Sequence, residues 1–232
     1  LTDSYAQDKA DSSAGTFKDF LENFIIRDYR DKKPQRIKAN AIFSGGGISS
    51  LALAGAIYAA DEEDIKFKRV GGTSAGAVLA SLYAAGYTPK EITQIISDAN
   101  FKSFVQGDIK FPYFITHMDT LARNYAYFNS ESIYVWIKGL LAKKGVSTFK
   151  DLKMPLKIVA TDIFNHRRVI FDREKYPDLE VAEALRMSIA IPLFFNPVEW
   201  NDPLLPKESS KCLMLDGSVF STYPSDLFTH FT

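Results

Sequence analysis

The chain has 232 residues, of which 46% are hydrophobic and 24% are charged, a composition typical of globular domains and not of disordered chains. Lys and Arg together number 28, as do Asp and Glu, so the charge balance gives no reason to expect a nucleic-acid partner. Because Cys212 is the only cysteine, an intrachain disulfide is excluded.

The amino-terminal residues 1–14 are polar and lack the basic and apolar segments of a cleavable signal peptide. No apolar run in the sequence approaches the roughly 18 residues of a membrane-spanning helix. We therefore expect the protein to be cytoplasmic, or exported without a cleavable signal peptide. Residues 1–37 are predicted to form a polar segment and an amphipathic helix at 16–30, followed by one larger domain at 38–232 that is truncated at its C-terminus.

The hydrophobic pattern after the first helix predicts strands that alternate with helices. Strands are predicted at 40–45, 66–72, 154–163, 167–172, 197–200 and 212–217, and helices at 48–60, 74–86, from Pro89, at 129–145 and at 178–190. This alternation predicts an α/β fold with three α/β/α layers and a mainly parallel central sheet. The aromatic-rich segment 101–137 fits either a plain core or a lid with an acyl pocket.

A nucleophile-elbow pattern stands between the second predicted strand and the helix that follows it. Gly72-Thr73-Ser74-Ala75-Gly76 matches G-x-S-x-G, in which small residues allow a sharp turn that presents the serine hydroxyl at its tip. The helix N-terminus behind the serine favours a developing negative charge. We therefore take Ser74 as the candidate nucleophile, with a glycine-rich packing turn as the alternative.

Three consecutive glycines follow the first predicted strand. Acyl transfer to a serine needs donors for the tetrahedral oxyanion, and one donor is the N–H of the residue after the serine, here Ala75. The other donors come from a glycine-rich loop after an earlier strand, which predicts Gly45, Gly46 and Gly47 as that loop. A dinucleotide fingerprint would instead need glycine at position 50, which is Ser50, and a P-loop pattern is absent.

The general base has two candidate sources. The three histidines are His117, His166 and His230, and a Ser74–Asp162–His230 triad is formally possible from their order in the chain. The other candidate is Asp216, which an apolar strand delivers at its end before Gly217 turns the chain. Active sites collect at the carboxyl ends of strands in parallel sheets. An Asp-Gly pair that merely forms a turn is the plainer alternative.

Taken together, these motifs resemble the patatin-like phospholipases, and specifically their bacterial type. That family carries a G-G-G loop, a G-x-S-x-G elbow and a D-G-G or D-G-A turn in this order. They correspond here to Gly45-Gly46-Gly47, to the Ser74 elbow and to Asp216-Gly217-Ser218 over roughly residues 38–228. The chain departs from the family in two places. Ser49 stands where a basic residue is usual, and Ser218 makes the third motif D-G-S.

The resemblance implies a patatin-like catalytic domain at 38–232 that acts as a lipid acyl hydrolase of the phospholipase A or lysophospholipase type. It implies a Ser74–Asp216 dyad, an oxyanion hole at Gly45, Gly46, Gly47 and Ala75, and neither cofactor nor metal. The implied partners are a phospholipid or other fatty-acyl ester, a membrane surface contacted peripherally, and possible activation by another protein. Acyl transfer to another acceptor, or non-catalytic binding of lipid or protein, remain the alternatives.

Overall fold

In a computed structural model of the chain, residues 37–100 and 126–229 are described below. The predicted helix at 16–30, most of the aromatic-rich segment 101–137, His117 and His230 lie outside these residues. No helix within the described ranges is long and apolar enough to cross a membrane.

Eight strands are present in the described residues, and each predicted strand matches one of them to within a few residues. They are β1 (Ile37–Phe43), β2 (Ile65–Thr73), β3 (Ala126–Phe128), β4 (Leu156–Asp162), β5 (Arg167–Phe171), β6 (Leu193–Phe195), β7 (Val198–Asn201) and β8 (Lys211–Asp216). Strands β3 and β6 form a small parallel sheet. The other six form the main sheet, in the order β1-β2-β4-β8-β7 with β5 also paired to β4.

The main sheet is mixed, so the prediction of a mainly parallel sheet is wrong. Strands β2 and β4 are parallel, whereas the β4–β5, β4–β8 and β7–β8 ladders are antiparallel. Parallel neighbours need a long crossover, but only residues 163–166 separate β4 from β5, and residues 202–210 between β7 and β8 hold no α-helix. The sequence between these strands therefore encodes hairpin-like returns. The three-layer arrangement stays a prediction.

One edge of β4 is shared by two strands that arrive from opposite directions. The end of β2 at Val70–Thr73 pairs with Leu156–Val159 in parallel, and the end of β8 pairs with Ala160–Asp162 antiparallel. Strand β5 pairs with β4 along Ile158–Asp162, so it occupies the opposite edge. Strands β2 and β8 therefore end head to head, opposite the adjacent residues Val159 and Ala160.

Residues 37–100 and 126–229 also hold five α-helices, which are α1 (Leu53–Glu62), α2 (Ala75–Ala84), α3 (Pro89–Asp98), α4 (Glu131–Lys143) and α5 (Val181–Ser188). Helix α2 packs on β2, and α5 packs on β4. The apolar residues of α2 are almost all buried, which makes it the central helix of the main core. Helix α3 begins at Pro89, as predicted, and Thr88 and Glu91 form a capping box at its N-terminus.

A buried ionic cluster ties the far end of β4 to neighbouring segments. Arg167 donates to Asp162 at 3.1 Å and to Asp202 at 2.5 Å, and both carboxylates are fully buried. Burial opposes ionisation of Asp162, but hydrogen bonds from Asn165, Cys212 and Arg167 outweigh it and lower the pKa of this carboxyl. In this cluster, the guanidinium group of Arg167 therefore pairs with both buried carboxylates.

This cluster predicts a large difference between two adjacent arginines. Arg167→Leu leaves two buried carboxylates without their cation and should lower the free energy of unfolding by about 3–5 kcal/mol. Arg168→Leu removes only a more exposed pair with Asp226 and should cost less than about 1 kcal/mol. Urea denaturation of both variants measures the difference, and equal losses would show that the buried cluster has no special role in stability.

Candidate active site

Ser74 occupies the sharp turn between β2 and α2 in a strained backbone conformation. Its φ of 54° and ψ of −131° are rare for a residue with a side chain, and such strain costs about 1–3 kcal/mol. The turn also brings the backbone at Gly76 so close to β1 that a side chain would not fit, because a Cβ on Gly76 would lie 2.5 Å from the Phe43 carbonyl oxygen. The predicted strand–turn–helix context of the elbow is therefore present, and Ser74 is only 3% exposed.

Asp216 lies directly beside Ser74, although the two residues are 142 positions apart. The Ser74 hydroxyl donates to Asp216 Oδ2 with an O–O distance of 2.5 Å, so the predicted proximity is observed. The predicted reason for it is wrong, because β8 is antiparallel to β4 and does not end at a common carboxyl edge with β2. The two residues meet because β2 and β8 end head to head.

Burial has the largest effect on the pKa of Asp216. The carboxyl is 3% exposed, and this desolvation raises its pKa against the opposing hydrogen bonds from Ser74 and Ser218. The Ser218 N–H donates to the other carboxylate oxygen, Oδ1, at 2.7 Å, which fixes the orientation of the carboxyl group. A raised pKa makes Asp216 a better proton acceptor than an ordinary aspartate would be.

Ser188, the last residue of α5, holds the backbone of the elbow in place. Its hydroxyl accepts the Ser74 N–H at 2.9 Å and donates to the Val159 carbonyl oxygen at 2.6 Å. Ser188 is fully buried, so both bonds are shielded from water. Sequence reasoning missed this residue. The only signal was its place in the small-residue stretch SIAIP, which also suits plain helix packing.

The glycine loop only partly matches its predicted role. The Gly45 N–H donates to the Thr222 carbonyl oxygen at 2.8 Å, so the prediction of Gly45 as an oxyanion donor is not met in this structure. Gly45 instead provides space, because a Cβ there would lie 2.2 Å from Ser218 Oγ. The hydroxymethyl group of Ser218 in the D-G-S turn thus fits because Gly45 has no side chain.

The N–H groups of Gly46, Gly47 and Ala75 meet no acceptor among residues 37–100 and 126–229. Ser49, which stands where a basic residue was expected, donates its hydroxyl to the Gly46 carbonyl oxygen at 2.7 Å. Because the C=O and N–H of one trans peptide point in opposite directions, this bond turns the Gly47 N–H away from Ser49. The loop therefore keeps free donors next to Ser74.

An open cleft of about 310 Å³ gives access to this pair. Its volume is at the lower end of the range for small-molecule sites. The lining is mostly small or apolar and consists of Gly46, Gly47, Ser74, Ile191, Pro192, Asp216, Ser218 and Val219. Ser74 and Asp216 thus line a space that can admit a small ligand.

The alternative base candidates do not gather at Ser74 in the described residues. Asp162 is engaged with Arg167, Asn165 and nearby backbone N–H groups, and His166 is exposed in the turn between β4 and β5. Neither joins the Ser74–Asp216 pair. Within the described ranges, no group of His, Cys, Asp and Glu could hold a metal ion.

Two curated relatives resemble the chain along most of its length. YqhO of Bacillus subtilis (strain 168), described as uncharacterized, is 35% identical over 198 residues, covering 82% of this chain and 66% of YqhO. The probable lipid hydrolase 463L of Invertebrate iridescent virus 6 is 28% identical over 202 residues, covering 84% of this chain and 64% of that protein. The chain therefore spans just under two thirds of the length of each of these relatives.

Two solved structures share the fold. VipD from Legionella pneumophila matches with a TM-score of 0.51 at 18% identity, over 80% of this chain and 46% of that one. A complex of ExoU with SpcU from the type III secretion system of Pseudomonas aeruginosa matches with a TM-score of 0.50 at 22% identity, over 69% and 39%. The family model described as patatin-like phospholipase matches residues 41–229. The chain belongs to the patatin-like phospholipase family.

Proposed function

We propose that this chain is a lipid acyl hydrolase that uses a Ser74–Asp216 dyad. The observation that carries the proposal is the 2.5 Å hydrogen bond from Ser74 Oγ to a buried carboxylate at the wall of an open cleft. Family membership and the relative described as a probable lipid hydrolase favour a fatty-acyl ester as substrate. A phospholipase A or lysophospholipase is the specific type that we propose.

In the first half of the reaction, Ser74 Oγ attacks the ester carbonyl carbon while its proton passes to Asp216. The carbonyl oxygen becomes an oxyanion, which the free N–H groups of Gly46, Gly47 and Ala75 are proposed to stabilise. Collapse of the tetrahedral intermediate breaks the bond to the alcohol, and Asp216 gives its proton to the departing oxygen. The fatty-acyl group is then esterified to Ser74.

In the second half, Asp216 takes a proton from a water molecule that attacks the acyl-enzyme. The oxyanion forms again at the same N–H groups, and its collapse breaks the acyl bond to Ser74 Oγ. That oxygen takes the proton from Asp216, which regenerates the dyad and releases a fatty acid. Capture of the acyl group by an alcohol acceptor would make the chain a transferase. Product analysis with and without glycerol distinguishes the two outcomes. Activation by a bound protein is a further proposal, and the complex of the structural neighbour ExoU with SpcU supports only the binding of a partner.

Replacing either member of the dyad tests the proposal. Ser74→Ala should abolish hydrolysis of a short-chain ester, and Asp216→Asn should reduce kcat by about 100- to 10,000-fold because its amide cannot accept the proton. Since the folded-state pKa of Asp216 is raised, its ionised form destabilises the fold above that pKa, and Asp216→Asn should not lower stability at neutral pH. Thermal unfolding and steady-state kinetics of purified variants measure both quantities.

His230→Ala is the matched control, because His230 would be the base of the alternative triad. It should retain most of the activity. A loss of about a thousandfold in this control, or normal turnover in Asp216→Asn, would contradict the dyad. The plain-turn interpretation of Asp216-Gly217 predicts the opposite pattern for Asp216→Asn, a less stable protein with nearly normal kcat.

Ser188 is predicted to position the nucleophile without touching the substrate. Ser188→Ala leaves the Ser74 N–H and the Val159 carbonyl without their buried partner, so Ser74 should shift and kcat should fall about 10- to 100-fold at nearly constant KM. Ser188→Thr keeps a hydroxyl and should restore most of kcat. Ser81→Ala deletes another fully buried hydroxyl, which donates to the Ala77 carbonyl within its own helix, and should leave kcat unchanged. Equal kinetics of Ser188→Ala and Ser81→Ala would argue against a positioning role.

A further inference from the structure

Among the described residues, three segments that supply most of the cleft lining contain no charged residue. Residues 44–60, 188–198 and 217–225 contribute most of the cleft lining, and these 37 residues would contain about nine charges at the chain average of 24%. Asp216, the charged residue that lines the cleft, is buried within it. Within the part of the chain that the structure describes, these three segments therefore give the cleft mouth no charged side chain, unlike the polar, charged rim that is usual around transient protein interfaces.

Large apolar side chains stand exposed at the same mouth. We call Ile191, Leu193, Val219 and Phe220 the apolar rim, and they are 36%, 62%, 43% and 52% exposed, respectively. Ile191 and Val219 line the cleft, and Leu193 and Phe220 follow them within two residues. A single exposed leucine needs no explanation, but four exposed apolar side chains that line the cleft or lie within two residues of its lining are of the kind that marks an interaction site.

The backbone at Leu193 is strained in a way that core packing does not explain. Leu193 has a φ of 65°, and its side chain stays largely exposed. The turn is set by the N–H groups of Phe194 and Phe195, which both donate to the Ile191 carbonyl oxygen, at 3.1 and 2.9 Å. Strain of this kind concentrates at functional sites, and here it holds an apolar side chain outward beside the cleft.

We propose that the apolar rim inserts into a lipid surface and sets the cleft mouth against it. This proposal rests on the proposed function, because Ser74 is nearly buried and a membrane ester can reach it only if the mouth contacts the lipid layer. Apolar side chains without neighbouring lysines or arginines suit insertion at the boundary between headgroups and acyl chains. Attraction to anionic lipids would instead need a basic cluster near the rim, and none is present in these segments. Binding should therefore depend weakly on salt.

The experiment compares two substrates and one binding assay. Leu193→Asp and Phe220→Asp are assayed on phosphatidylcholine vesicles, on a monomeric short-chain ester, and by co-sedimentation with the same vesicles at about 0.1 and 1 M NaCl. Val135→Asp is the matched control, because Val135 is 59% exposed on α4 and lies outside the cleft. Leu193→Gly guards against misfolding, because glycine adopts a φ of 65° without strain and should not lower the thermal midpoint.

We expect each rim variant, Leu193→Gly included, to lose at least tenfold in vesicle hydrolysis and vesicle binding, with less than a twofold change on the monomeric ester. Val135→Asp should behave like the original chain in all three assays. Raising the salt concentration should change vesicle binding less than twofold. Unchanged vesicle binding by the rim variants, loss of binding in 1 M NaCl, or equal losses on both substrates would overturn the lipid-facing rim. So would rim variants that bind vesicles normally but lose stimulation by a eukaryotic lysate, since that assigns the rim to a protein partner. If the original chain hydrolyses neither substrate, the proposed function fails, while co-sedimentation still decides the role of the rim.

Discussion

The head-to-head arrangement of β2 and β8 along one edge of β4 is the constraint on which the rest of the site depends. Parallel pairing brings the end of β2 to Val159, and antiparallel pairing brings the end of β8 to Ala160. The next residue after β2 is Ser74, and the last residue of β8 is Asp216. Two segments far apart in sequence are therefore brought to hydrogen-bond distance by backbone pairing, which side-chain packing alone could not fix so closely.

The surrounding contacts hold this junction in a strained and desolvated state. Ser188 bonds both to the Ser74 N–H and to the Val159 carbonyl, so α5 links the elbow to the strand on which β2 and β8 meet. Burial raises the pKa of Asp216, which costs stability whenever the carboxyl is ionised but suits it to accept a proton. Backbone strain at Ser74 and the desolvated carboxyl of Asp216 thus lie side by side, and strain of this kind concentrates at functional sites.

The sequence predicted the site better than the sheet around it. The elbow, the glycine loop and the Asp-Gly turn are short local motifs, and the proximity of Ser74 to Asp216 was predicted from their places at strand ends, although the strand directions behind that prediction were wrong. The strand directions did not follow, because the apolar pattern of β5, β7 and β8 is the same whether a strand runs parallel or antiparallel. Strand direction depends on the lengths of the connections, and the return at 163–166 was too short for a crossover.

Other features depend on contacts that no local pattern encodes. The Gly45 N–H is taken by Thr222, and the buried hydroxyl of Ser188 reaches both the elbow and β4. Asp162 looked like a possible triad member in the sequence, but Arg167 and Asn165 commit it to the ionic cluster at the far end of β4. In each case the decisive partner is distant in sequence, so composition and spacing could not identify it.

The most direct test of the Ser74–Asp216 account is the pH dependence of covalent labelling of the serine by a fluorophosphonate, with the labelled residue identified by mass spectrometry. The account predicts labelling at Ser74 with a rate that falls as Asp216 becomes protonated. Because burial raises the pKa of Asp216, the midpoint of this fall should lie above about 3.9, the value for an ordinary aspartate. Asp216→Asn should label at least about 100-fold more slowly across the whole range. Labelling at another residue, or a rate in Asp216→Asn equal to that of the original chain, would contradict the account.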